Sequence, residues 1–224
     1  MSSVQIRDGL VLMIGLIISV GVHEFGHAFV ASWLGDPTPE QQGRVTLNPM
    51  AHVDPFGTLI LPALMIFVFP GGFLFGWGKP VEVQPLFYRR RIGKKRITMA
   101  TGDILVSLAG PFMNILMALL FTLGIAVLTR IVGIAPTDPI VSALAMYLVL
   151  NLGLAVFNML PFPPLDGSHV LLNAIHPHGR AFTDFWQQYG LWILIIVMVT
   201  GALRIVFTPV MYVAQILLRM ALGV

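Results

Sequence analysis

Two histidines and a glutamate stand together in Val20–Gly35, VGVHEFGHAFVASWLG, a stretch otherwise apolar enough to lie in lipid. His23 and His27 are four residues apart, so a helix carries them on one face with Glu24 beside them. In an HExxH helix the two imidazoles bind zinc, and the glutamate reaches the metal's water as a general base. A lone helical histidine is usually structural, but ionisable groups inside lipid are costly and mark function by default. A glutamate at that depth must be protonated, paired or near a cation, and zinc stabilises its charged form.

Catalytic zinc usually takes three protein ligands and keeps one position for water. The third ligand must come from elsewhere, and the candidates are Asp54, His52, His169, His176, His178 and Asp166. Asp166 stands out in FNMLPFPPLDGSHVL, just after an apolar segment. Pro161, Pro163 and Pro164 break the helix there, and Asp166-Gly167 makes a turn. Unwound backbone near membrane depth is tolerated where it lines a polar cavity.

The elements that must position these groups are membrane segments. Of 224 residues, 57% are hydrophobic and 10% charged, against about a quarter charged in a soluble domain. The expected fold is an all-α polytopic membrane protein, one membrane-embedded domain over 1–224. Cysteine is absent, which excludes disulfides and thiolate chemistry. Apolar segments fall at 10–34, 56–76, 104–129, 140–160, 188–207 and 208–223. The first is loosely like a signal peptide, with Arg7 before Gly9–Gly21, but its run is long enough to span and is read as a retained helix. Six of the thirteen Lys and Arg lie in Arg89–Arg96, a pattern expected of a cytoplasmic loop. No aromatics interleave with that run, so nucleic acid is not an expected partner.

The segment at 56–76 is interrupted by Pro62, Pro70, Gly71 and Gly72, and GGFLFGWGKPVEVQP after it reads as a strand or hairpin. The chemistry decides its course. His23 and His27 lie past the middle of 10–34, and Asp166 lies past the C-terminal end of 140–160. To meet at one metal, these two segments must run the same way. That requires 56–84 to be a re-entrant helix and hairpin that enters and returns. With Arg89–Arg96 cytoplasmic, the N-terminus is extracytoplasmic and the metal lies nearer the cytoplasmic face.

HEFGH in a first transmembrane helix, followed by N-x-x-P-x-x-x-x-D-G at Asn158, Pro161, Asp166 and Gly167, resembles the site-2 protease family of intramembrane zinc metalloproteases. GRVTLNPMAHVDPFGTL, FGWGKPV and AGPFMN resemble further blocks of its compact members, which lack PDZ and CBS domains. The resemblance covers most of the chain. It implies one zinc per chain held by His23, His27 and Asp166, with Glu24 activating water. It implies that Asn158 binds the substrate carbonyl or its oxyanion, a role suited to a neutral amide donor. It makes the helix of Asn114 a wall of the substrate site, although Gly110 and Asn114 also suit close helix packing. It places an exposed edge near Gly72 and Phe73, where unwound substrate pairs by β-augmentation. The implied substrates are transmembrane proteins, cut in the bilayer of the cell membrane in regulated intramembrane proteolysis.

A metal-ion transporter or non-catalytic metal-binding membrane protein is the rival reading, since broken helices with Asp and His also make transport sites. Glu24 argues against it, because transport needs no non-ligating base beside His23. A membrane metalloprotease for soluble substrates would show HExxH nearer the water, with a large extramembrane domain. His52 and Asp54 are expected to form a turn or cap, His169 to face solvent or support a ligand, and His176 and His178 to sit in a wet loop. Arg204 is expected to snorkel or to pair with a neighbour.

Overall fold

The computed structural model describes residues 2–69, 74–93, 95–175 and 180–223. Helix α1 spans Ser3–Leu34. It starts before the apolar run because Ser2 and Gln5 form a reciprocal capping box, and it stops at Gly35, whose φ of 106° suits glycine. After α2 (Thr38–Gln41) come α3 (Pro55–Val68), α4 (Met99–Ile131), α5 (Pro139–Asn158), α6 (Asp166–Ile175), α7 (Arg180–Val199) and α8 (Leu203–Leu222). Five of them, α1, α4, α5, α7 and α8, are long and apolar enough to cross a membrane. This is an all-α polytopic architecture.

Helices α1 and α5 run parallel. Tyr147 donates to the Val11 carbonyl at 2.9 Å, and one turn on Asn151 Nδ2 donates to Ser19 Oγ at 2.9 Å. Helix α4 runs against both. Gly26 abuts the Ala109 carbonyl, and further along α4 Asn114 reaches the Ser19 carbonyl. A Cβ at Gly26 would approach that Ala109 oxygen to 2.8 Å, so glycine sets the close α1–α4 spacing.

Helix α3 runs back along α1, with Ile66 and Phe67 against Gly9. Its start is capped by Asp54, which accepts from the amides of Phe56 at 3.0 Å and Gly57 at 2.6 Å. The chain then returns. Trp77 N–H bonds the Gly57 carbonyl at 3.1 Å, Lys79 N–H bonds the His52 carbonyl at 2.8 Å, and Gln84 N–H bonds Asp36 Oδ2 at 2.6 Å. Asp54→Ala removes the cap and is expected to cost about 1 kcal/mol, lowering the thermal midpoint in detergent by about 2–4 °C. Asp54→Asn, which still caps, should melt like the wild type.

Three details differ from expectation. The described residues of 74–84 are extended but pair with no strand. The hairpin lies instead at β1 (Arg91–Ile92) and β2 (Lys95–Arg96), where Gly93 at φ 61° supplies the turn. Pro80 interrupts the extended stretch and Pro85 follows it, and two of its N–H groups are committed to the carbonyls of Gly57 in α3 and His52 in the loop before it. Next, Asp166 does not sit on unwound backbone but is the first residue of α6. Finally, the break between the last two helices falls before Leu203 and not between 207 and 208. Gly201 at φ 73° makes that turn, and Pro209 is carried inside α8.

Helix α8 runs against α5, since Leu203 packs with Phe157 and Leu165 while Ala221 packs with Val141 and Ile125. Arg130 at the end of α4 fastens this second contact by donating from Nε to the Ala221 carbonyl at 2.8 Å. Helix α7 packs differently. Trp186 bonds the Pro161 carbonyl, Leu194 joins Phe157 and Leu165, and Met198 packs against the same cluster. All these contacts lie at one end of the bundle, the end where α5 stops.

Candidate metal centre

His23 and His27 point from α1 towards α4. Asn114 Oδ1 faces His23 Nδ1 at 2.7 Å, and the Val106 carbonyl faces His27 Nδ1 at 2.7 Å. Both partners are acceptors. The Asn114 amide is oriented by its Nδ2, which donates to the Ser19 carbonyl at 3.3 Å and to Asn151 Oδ1 at 3.0 Å. The network therefore assigns the proton of each imidazole to Nδ1 and leaves each Nε2 a lone pair.

Those lone pairs converge. His23 Nε2 and His27 Nε2 lie 3.1 Å apart, and the Asp166 carboxylate oxygens lie 3.2 Å and 3.4 Å from them. Three acceptors at this spacing repel unless a cation sits between them. The separations approach the edge of a tetrahedron with metal–ligand bonds of about 2.0–2.1 Å, which is about 3.4 Å. Asp166 Oδ2 is buried with no hydrogen-bond donor among the described residues, and metal ligation would satisfy it. The backbone leaves the room. A Cβ on Gly110 would lie 2.6 Å from His23 Nε2 and closer still to His27 Nε2, so the missing side chain is the space a metal needs. The residues present thus fit zinc.

Asp166 is delivered by close backbone packing. Gly167 lies so tightly against the Met159 and Leu160 carbonyls that a Cβ there has no room. The Pro-rich turn and Gly167 together tuck the start of α6 under the end of α5.

Glu24 sits one residue along from His23, half-buried, and has no hydrogen-bond partner among the described residues. It borders the returning strand, since a Cβ at Gly78 would approach Glu24 Cγ to 3.1 Å. A cavity of about 570 Å³ opens over the site, lined by Glu24, Phe75–Gly78, Asn158, Asp166 and His169. An apolar pocket shares Phe75, Gly76, Leu154 and Phe157 with it and extends between α1, α5 and α8.

Among the residues singled out from sequence, His23, His27 and Asp166 come together as one ligand group. Asn158 lines the cavity and spends one amide hydrogen on the Leu154 carbonyl at 3.0 Å. Asn114 is wholly buried and turned onto His23. His52 is buried in the loop before α3, where it bonds the Thr46 carbonyl at 3.0 Å, away from the ligand group. Asp54 is a helix cap. Arg204 is exposed at the start of α8. Gly72, Phe73, His176 and His178 lie outside the described residues.

Sequence reasoning missed Asn151, Ser19 and Asp103. Asn151 stands seven residues before Asn158 on α5, which is the one signal it gave. It is fully buried and ties Asn114 to Ser19 and to the Tyr147 carbonyl. Partners of this kind orient metal-ligating imidazoles. Asn114→Leu should therefore lower zinc affinity by about 10–100-fold, read by competition with a chelating dye. Unchanged affinity would show that the amide does not support His23.

The pattern of peptidase family M50 matches residues 125–199, a region that holds Asn158 and Asp166. Whole-chain relatives extend the match over the HExxH helix. "Putative zinc metalloprotease YwhC" of Bacillus subtilis (strain 168) is 34% identical over 204 residues, 89% of this chain and 85% of the relative. "Putative zinc metalloprotease Rip2" of Mycolicibacterium smegmatis is 33% identical over 91% of this chain and 72% of the relative. Rip2 of Mycobacterium tuberculosis (strain H37Rv) is 32% identical over the same shares. No solved structure matches the chain.

Proposed function

We propose that this chain, which belongs to peptidase family M50, is a membrane zinc metalloendopeptidase that cuts peptide bonds in or near transmembrane segments of membrane proteins. The observation that carries this reading is the convergence of His23, His27 and Asp166 beside an uncommitted Glu24, within a bundle of membrane-length helices.

One zinc per chain would be held by those three side chains. When bound, it supplies a Lewis acid for the scissile carbonyl and lowers the pKa of water. The chain does the rest. Glu24 takes the proton of the attacking water and returns it to the leaving amine. Asn158 has a second amide hydrogen for the oxyanion. Asn114 and the Val106 carbonyl keep both imidazoles in the ligating tautomer.

The returning strand suits a peptide guest. Trp77 and Lys79 turn their N–H groups to α3 and its loop. Alternation along extended backbone turns Gly78, between them, the other way, and Gly76 and Gly78 both line the cavity. An unwound substrate segment can pair along that edge, which supports β-augmentation. The apolar pocket beside the cavity supports approach from lipid. The basic hairpin around Arg89–Arg96 would lie in the cytoplasm, with the protein in the cell membrane.

The test is reconstitution in liposomes with a single-span reporter protein, with cleavage mapped by mass spectrometry. Zinc-dependent cuts in or near the span are expected. Zinc-dependent cuts confined to soluble segments would overturn the intramembrane reading. Zinc flux across the vesicle wall without proteolysis would favour transport instead.

A further inference from the structure

The cavity that Glu24 lines also carries a pair that the reading above leaves idle. His169 lies three residues after Asp166 on α6, so both stand on one helix face, about 5–6 Å apart at Cβ. Its Nδ1 faces Asp103 Oδ2 of α4 at 3.7 Å. Asp103 is itself held by Asn173 Nδ2 at 2.6 Å, one further turn along α6. His169 and Asp103 both line the cavity that contains Glu24 and the ligand group. The His169 side chain is 58% exposed, so its ring is open to that space and not packed away.

We propose that His169, paired through Nδ1 with Asp103, donates a hydrogen bond from Nε2 to the substrate's scissile carbonyl oxygen and to the negative charge that develops there. The inference rests on the peptidase reading above. No bond to His169 forms or breaks. The ring keeps its protons and supplies a directed donor from the α6 side of the cavity.

Three points support the assignment. A carboxylate beside Nδ1, unlike the neutral acceptors that face His23 and His27, favours the ring protonated on both nitrogens, so that Nε2 also carries a hydrogen to donate, and the exposed ring lines the cavity. The pairing with Asp103 raises the His169 pKa above the ordinary imidazole value. The 3.7 Å separation is long for a hydrogen bond, and such contacts commonly tighten once substrate is bound. A merely structural role is a poor fit, because Asp103 is already held by Asn173 and the His169 ring is exposed.

The test uses the full chain, zinc-loaded in detergent, and a probe that needs no turnover. The probe is an N-phosphorylated dipeptide of leucine and tryptophan, whose tetrahedral anionic phosphorus mimics the oxyanion. Its Kd is measured by calorimetry for wild type, His169→Ala and His169→Gln, with zinc content measured on each sample. Full zinc throughout is expected, with binding weakened about 10²-fold in His169→Ala and partly restored in His169→Gln, which keeps a donor. Equal binding by wild type and His169→Ala would overturn the proposal. Loss of zinc from His169→Ala would also overturn it, since the residue would then serve the metal site. A zinc-loaded wild type that does not bind the probe would overturn it too. Failure of the intramembrane reading looks different, since the wild type would bind the probe yet cut no membrane reporter.

Discussion

Gly110→Ala should yield a folded protein that holds no zinc. The added methyl would stand within 2.6 Å of both Nε2 atoms, in the volume where bonds of about 2.0–2.1 Å must meet. The imidazoles cannot easily retreat, because Asn114 and the Val106 carbonyl pin their other nitrogens at 2.7 Å. Disturbing outer partners of a zinc ligand costs about 10–100-fold in affinity, and occupying the metal's own place should cost at least the upper end of that range. Proteolysis should vanish with the metal. Gly124→Ala is the control. It lies on the same helix, but its Cβ would meet only Leu144 Cδ1 at an ordinary 3.6 Å. Metal analysis of both variants decides the matter. Full zinc in Gly110→Ala would mean that the ligands meet elsewhere.

Glu24→Gln should separate binding from chemistry. Glu24 is outside the group of converging ligand atoms, and glutamine has nearly the same shape, so zinc content should match the wild type. The amide cannot take a proton from water at neutral pH, so turnover should fall by about 10³-fold. The loss should appear in kcat, with substrate binding kept. Appreciable turnover by a zinc-loaded Glu24→Gln protein would remove Glu24 from the role of base. Loss of zinc would make it a ligand.

The sequence was informative where chemistry restricts residue type and spacing together. His23, Glu24 and His27 are legible because a helical turn and zinc geometry demand that pattern. Asp166 is legible because prolines and a glycine beside it disturb an apolar helix. The requirement that these groups meet at one depth pointed to α1 and α5 running the same way, and in the structure they do. Support for the ligands was harder to see. Asn151 and Ser19 belong to no motif, and their value lies in contacts across 132 positions of sequence. Asp103 and His169 are 66 positions apart and meet only because α6 folds onto α4. The hairpin was misplaced because β-branched and aromatic residues signal extended backbone without saying which groups it bonds. The last helix boundary, expected between 207 and 208, was misplaced because the apolar run there is nearly continuous, whereas a left-handed glycine makes the turn at Gly201.

Helix α7 has the length and apolarity to cross, yet its described contacts from Trp186 to Met198 stay at one end of the bundle. The consequence is one of parity. Counting α7 as a crossing by hydropathy alone would reverse the orientation of every residue after it. In the structure the end of α8 lies beside the end of α4, clasped by Arg130. A topology reporter spliced after Leu222 should therefore light up on the same side of the membrane as one spliced between α4 and α5.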